Sequence, residues 1–198
     1  MTQDTLRYVP LDERCVAYDR MAKVLSFLGD NWKVRPTLNE MAEEFGLSPF
    51  HFQREFTRWA GLTPKQYVSA HAHAAAGELL REGASVLDAS FEVEASGPSR
   101  LHDLFIAHEA LTPGEAGSGG RNVTLTIGKG PTPFGKGVFL FSDRGLTALG
   151  FIDERPEIVA RDGEHTGRAE ADAFADLVSR YPNADIRHDD HAAEAFAE

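Results

Sequence analysis

The stretch Leu38–Val68, LNEMAEEFGLSPFHFQREFTRWAGLTPKQYV, restricts the fold more than any other part of the chain. A short helix from Leu38 to Phe45 ends at Gly46, where a residue without Cβ lets the chain turn left-handed. Ser48-Pro49 then opens a second helix, with a hydroxyl to cap it and a proline at its first position. Phe52, Phe56 and Trp59 fall at i, i+4 and i+7, which predicts one buried stripe. Phe50, Gln53, Arg54 and Thr57 share a different face, and Arg58 lies outside the stripe as well. An apolar plate, an amide and a guanidinium on one helix face are the groups that read base edges in a major groove. A helix, a tight turn and a second helix with a polar outer face make a helix-turn-helix.

The pattern occurs twice. Leu38, Met41, Ala42 and Phe45 correspond to Val86, Ala89, Ser90 and Val93 at an offset of 48. Phe52, Phe56, Leu62, Thr63 and Pro64 correspond to Leu101, Phe105, Leu111, Thr112 and Pro113 at an offset of 49, so the second turn is one residue longer. Between the copies, Pro64 begins a helix running to about Glu82, and Ser85 caps the next one. In the second copy Ser99, Arg100 and His102 are the outward candidates. Asp103 stands where Arg54 stands in the first copy, and it repels phosphate. Glu94 replaces the turn glycine, which costs on the order of 1 kcal/mol or more at positive φ. Ser90 replaces a packing alanine. A loosened second unit is expected, contributing position more than readout.

Ala42, Gly46, Ser48, Phe52, Phe56, Gly61 and Thr63-Pro64 resemble the pattern of AraC-type DNA-binding domains. Ser85–Phe105, SVLDASFEVEASGPSRLHDLF, is similar to the second helix-turn-helix of Ada-type proteins, which join such a module to an O6-methylguanine-DNA methyltransferase. Val123 to Ala184, with TPFG, the hairpin at Asp143-Arg144-Gly145 and GFIDE, resembles the small N-terminal domain of that methyltransferase. The resemblance implies two reading helices on one side of the protein, about one helical turn of DNA apart. It implies an α plus α/β protein: an all-α tandem helix-turn-helix domain, then a small ribonuclease-H-like α/β domain. Residues 1–16 are expected to be irregular, 17–113 to hold the tandem motif, 114–121 to be a Gly/Ser linker and 122–198 to hold the small domain with an acidic tail. The family's catalytic Pro-Cys-His-Arg motif does not occur in this sequence.

Charge places the DNA contacts. The formal net charge is −11, which opposes non-specific binding by the chain as a whole. Residues 1–70 hold 9 basic and 9 acidic side chains, residues 71–120 hold 2 and 8, and residues 121–198 hold 9 and 14. Only the first part is neutral, and Pro49–Lys65 is positive through Arg54, Arg58 and Lys65. Arg35, Lys65 and Gln66 are candidate phosphate contacts. For each, plain solvation is the competing reading.

After the GEAGSGG stretch the period changes to two at Val123-Leu125-Ile127, Val138 to Phe141 and Leu146 to Ile152, an antiparallel meander. Thr166 to Tyr181 reads as a helix and Asp185 to Arg187 as a last strand. The acidic end is expected to fray. One cysteine, Cys15, excludes an internal disulfide and a cysteine zinc site, and LDERCVAY gives it no activating histidine. His71 and His73, two apart on a helix, point to different sides. His188 and His191 lie in the expected tail, so no metal or cofactor is expected.

The reading that follows is a sequence-specific regulator on double-stranded DNA, cytoplasmic and nucleoid-associated. The resemblance links it to alkylation damage, with RNA polymerase or a separate methyltransferase catalytic domain as a further partner and no membrane. No enzymatic activity is expected of this chain. The alternatives are a truncated or split methyltransferase whose catalytic domain lies elsewhere, and a former regulator that now binds a protein.

Overall fold

The computed structural model describes residues 11–152 and 170–197, without the side chains of 11–17 and 195–197. It contains a helical helix-turn-helix region and a small four-stranded sheet. Two compact units divide between Ala72 and His73.

In the first unit α1 (Leu11–Asn31) is followed by a single 3-10 turn, α2 (Leu38–Glu44) and α3 (Pro49–Ala60). α1 begins at Leu11, so residues 11–16, expected to be irregular, are helical. The apolar stripe that marks this helix starts only at Met21. The turns before it carry no comparable stripe of helical spacing in the sequence, and extending a nucleated helix costs little. Met21, Val24, Leu28, Met41, Ala42, Phe52, Phe56 and Val68 form the core. An aromatic ladder crosses it: Phe27 meets Phe45 edge-on at 5.6 Å, Phe45 stacks on Phe52 at 6.1 Å, and Phe52 stacks on Phe56 at 6.1 Å. Aromatic pairs at such spacings add to the area that each ring buries.

α4 (Pro64–Arg81) runs across the unit boundary. The second unit continues with α5 (Val86–Glu92), α6 (Pro98–Glu109) and α7 (Pro113–Gly117), then β1 (Thr124–Thr132), β2 (Gly135–Ser142), β3 (Gly145–Phe151), α8 (Glu170–Ser179), β4 (Asp185–His188) and α9 (Asp190–Ala197). The strand order is β3-β2-β1-β4. The first three strands form the expected meander, and β4 pairs parallel to β1. Val138 and Leu140 of β2 share a core with Leu125, Ile127, Ala173 and Leu177. Phe139 and Phe141 point to the other face, where they meet Ala193 of α9. The expected helix is described only from Glu170, since 166–169 lie outside the described residues, as do Asp153 and Glu154 of GFIDE.

Two expectations fail here. The GEAGSGG stretch is not a flexible linker. Thr112 and Glu115 form a reciprocal cap that starts α7, and the glycines beyond it are packed. Gly120 has φ 81°, and a Cβ there would lie 2.7 Å from the Ala184 Cβ. Asn183 donates its backbone N–H to the Gly119 carbonyl at 2.8 Å and its side-chain amide to the Ser118 carbonyl at 2.7 Å. These glycines serve close approach rather than freedom. The acidic end is likewise folded. The Lys129 backbone N–H donates to Asp190 Oδ1 at 2.9 Å, and Ala192 N–H to Asp189 Oδ1 at 3.0 Å. Gly128 makes room for this helix, since a Cβ there would meet the Asp189 carbonyl oxygen at 2.3 Å.

The Asp143-Arg144 hairpin does more than turn the chain. Arg144 forms a two-pronged pair with Glu115, Nη1 to Oε2 at 2.7 Å and Nη2 to Oε1 at 2.8 Å. The Arg144 bonds, joined by the bonds from Thr112, outweigh burial and lower the Glu115 pKa from 4.5 to about 2. A carboxyl with a depressed folded pKa stabilises the fold above its unfolded value and loses that share as the pH falls toward the folded one. Stability of the second unit is therefore expected to fall between pH 4.5 and about 2. Arg144→Met is expected to flatten that stretch of the curve, as read by urea denaturation at stepped pH.

Candidate nucleic-acid interface

The first helix-turn-helix is closed by its own backbone. Thr37 Oγ1 accepts from Glu40 N–H at 3.3 Å while Glu40 Oε2 accepts from Thr37 N–H at 2.7 Å, a reciprocal cap on α2. At the far end Gly46 takes φ 64°, and Leu47 N–H donates to the Ala42 carbonyl at 2.9 Å. This left-handed closure satisfies the last carbonyls of α2 and turns the chain sharply into α3. Ser48 Oγ accepts from His51 N–H at 3.4 Å, and Gly61, at φ 73°, ends α3.

Phe52 and Phe56 are buried, which sets the rotation of α3. Phe50, Gln53, Arg54 and Arg58 are exposed and Thr57 is half-buried. Phe50 is 76 % exposed, so an aromatic ring is held in solvent on the helix. The Arg54 guanidinium lies over it, 5.7 Å from its centroid. This contact between residues four apart keeps the cation extended along the outer face. Arg35 and Lys65 are exposed in the same unit. Trp59 departs from the expected stripe. It is 43 % exposed and meets Tyr18 edge-on at 6.2 Å, because it stands one residue from the end of α3. His51, which the periodicity did not single out, is also exposed on α3. Its Nε2 lies 3.7 Å from Glu55, which also pairs with Arg20 at 3.8 Å. The one acidic side chain of α3 is thus engaged by two basic groups, and i, i+4 spacing was the signal for His51.

The second helix-turn-helix repeats the closure with poorer residues. Ala95 N–H donates to the Ser90 carbonyl at 2.8 Å, the counterpart of the bond from Leu47 to Ala42. Glu94 takes the left-handed position at φ 52°, and the extra residue brings Ser96 to φ 57° and Gly97 to φ 125°. The unit is therefore not loosened. Val93, Ala95, Leu101 and Phe105 are buried, and the fully buried Ser90 donates its hydroxyl to the Leu87 carbonyl at 2.7 Å. The sequence conflict is held as backbone strain rather than released. α6 has Gly97 before its first turn and no side-chain cap. Ser99, Arg100 and His102 are exposed on α6, as is Asp103, whose carboxylate lies 3.9 Å from His102 Nδ1.

Both histidine pairs have local partners. His71 meets Tyr67 edge-on at 4.8 Å, and His73 contacts Glu109 at 3.3 Å. His188 stacks on Phe174 at 5.6 Å.

Residues 41–117 match the model of a family described as "Helix-turn-helix domain". The chain is 33 % identical over 83 residues to the "Uncharacterized HTH-type transcriptional regulator YbfI" of Bacillus subtilis (strain 168), covering 42 % of this chain and 30 % of that protein. It is 26 % identical over 128 residues to the "Bifunctional transcriptional activator/DNA repair enzyme Ada" of Escherichia coli (strain K12), covering 63 % of this chain and 35 % of that protein. The chain thus matches about a third of the length of these curated relatives. Among solved structures it is similar to the C-terminal domain of AraT, a response regulator from Geobacillus stearothermophilus. That likeness has TM-score 0.45 and 15 % identity, over 48 % of this chain and 81 % of that one.

Because Glu94 holds a left-handed conformation that glycine adopts freely, Glu94→Gly is expected to stabilise the protein by about 1 kcal/mol. Urea titration of the two proteins side by side measures it.

Proposed function

We propose that this chain is a sequence-specific transcription regulator of the AraC type acting on double-stranded DNA, a reading supported by the match of residues 41–117 to a helix-turn-helix family. The observation that carries the reading is the outer face of α3. Phe50, Gln53 and Arg54 stand exposed there, on a helix whose rotation is fixed by buried Phe52 and Phe56. In the bound state Arg54 pairs with guanine, Gln53 with adenine, and the Phe50 ring packs on a thymine methyl. Thr57, Arg58, Arg35 and Lys65 take the phosphates alongside. On α6 Arg100 and His102, with Ser99, make a weaker second contact, because Asp103 opposes the backbone.

The finer reading is an Ada-type regulator linked to alkylation damage. The 128-residue similarity to a protein named as a transcriptional activator and DNA repair enzyme supports it. So does the sheet. Three antiparallel strands and a fourth parallel to β1 suit a ribonuclease-H-like layout, and the small domain of the methyltransferase is the candidate identity. Its role here is support without catalysis. RNA polymerase, or a separate methyltransferase catalytic domain, is the protein partner this reading calls for.

Selection of bound duplexes from a random pool tests the central claim, and an absence of any enriched sequence would refute it. On the enriched site Arg54→Ala is expected to cost about 1–3 kcal/mol of specific affinity. Arg58→Ala is expected to weaken all sequences alike and to lower the salt slope by about one. Both are read by mobility shift across a salt series.

A further inference from the structure

The outer ends of α6 differ in how they are held. Its N-terminus rests on the strained Glu94–Gly97 turn without a side-chain cap. Its C-terminus is gripped by the sheet. Glu109, the last residue of α6, accepts a hydrogen bond from the Tyr181 hydroxyl on Oε1 at 2.6 Å, and its Oε2 lies 3.3 Å from His73 Nε2 on α4. His73 in turn packs edge-on against Phe105 at 4.6 Å and stacks on His108 at 5.1 Å, both on α6. One residue on, the Ala110 carbonyl accepts from Ser142 Oγ at 2.9 Å and from Arg144 Nη1 at 3.4 Å. Ala110 itself sits at φ 52°. Leu111 then enters the core of the sheet with Val138, Leu140 and Tyr181.

The Glu109 carboxylate is about a fifth exposed, and a carboxylate in that position is kept only by its partners. Burial would raise its pKa, but the bonds from His73 and Tyr181 and the charge of Arg81 outweigh it and bring the pKa below the ordinary value. One ionised group therefore ties α4, α6 and the segment after α8 together. We infer that Tyr181 and Glu109 are positioning residues for DNA recognition: the core packed on the sheet, which holds Tyr181, sets the orientation of the second reading helix through them, without touching DNA. The sheet is then a working part of the second helix-turn-helix, and a change imposed on the sheet reaches the bases through α6.

This rests on the proposed DNA-reading function, and the test keeps the two apart. Tyr181→Phe removes one hydroxyl and leaves the ring in its core. The effects of Arg100→Ala and Arg54→Ala on binding to the selected duplex are measured in the wild-type and Tyr181→Phe proteins. Arg100→Ala is expected to weaken wild-type binding at least about fivefold and to lose most of that effect in Tyr181→Phe. The Arg54→Ala effect is expected to be equal in both. Glu109→Gln, which keeps an acceptor for Tyr181 but no charge, is expected to fall between. A general loss of structure would diminish both arginine effects together, and it would overturn the inference. So would an Arg100→Ala effect unaltered by Tyr181→Phe, or a wild-type protein indifferent to Arg100→Ala. If the wild-type protein selects no duplex at all, the DNA-reading function itself falls. Hydrogen exchange across residues 98–109, expected to quicken in Tyr181→Phe without DNA, then decides the positioning claim alone.

Discussion

Burial of Phe52 and Phe56 is the constraint on which the first unit turns. Their rings continue a stack from Phe45, and a helix of twelve residues with two fully buried phenylalanines has a single usable rotation. Everything outward on α3 follows from that rotation. Phe50 is two residues from Phe52 and so cannot share its face. It must either be exposed or force the helix to roll, and rolling would strip about 2–3 kcal/mol or more from each displaced ring. An exposed aromatic is therefore the cheaper state, and the nearby guanidinium makes partial use of it.

The second unit solves the same problem with less suitable residues. Its turn keeps the hydrogen bonds of the first, yet three of its residues take positive φ where the first needs one. Each such residue other than glycine stores on the order of 1 kcal/mol. A strained turn survives only where its surroundings over-determine it. Here Val93, Ala95 and Leu101, buried within and on either side of the turn, hold it in place. The turn of the first unit carries glycine at its left-handed position.

What the sequence revealed was whatever repeats within a few residues. Helical stripes, hydroxyl caps, the meander and the parallel last strand's position are all signals of short range, and the elements they predicted are present. The misreadings share the opposite property. GEAGSGG reads as a linker because glycine means both freedom and close approach, and the distinction lies with Pro182, Asn183 and Ala184, more than sixty residues away. HDDHAAEAFAE reads as a frayed tail because its aspartates look solvated, whereas one of them caps a backbone group of β1. Trp59 fits the stripe by spacing but sits where the helix is about to end. Within the candidate interface the residue types and the face were legible. The stacking of Arg54 on Phe50 was implicit in their spacing, and the engagement of Glu55 by Arg20 was not.

The charge distribution bears on how such an interface would discriminate. Non-specific binding depends almost wholly on phosphate contacts, while specific binding adds base contacts to them. A net charge of −11 lowers the phosphate contribution to both. Residues 71–198 carry all of that excess, and the neutral first unit carries the proposed reading face. An acidic remainder thus lowers absolute affinity for right and wrong sites alike, and discrimination between them rests on the base contacts. The second reading helix, with Asp103 among its outward residues, is part of that acidic remainder. It would gain more from being held in one orientation than from further charge, and the contacts at Glu109 supply orientation.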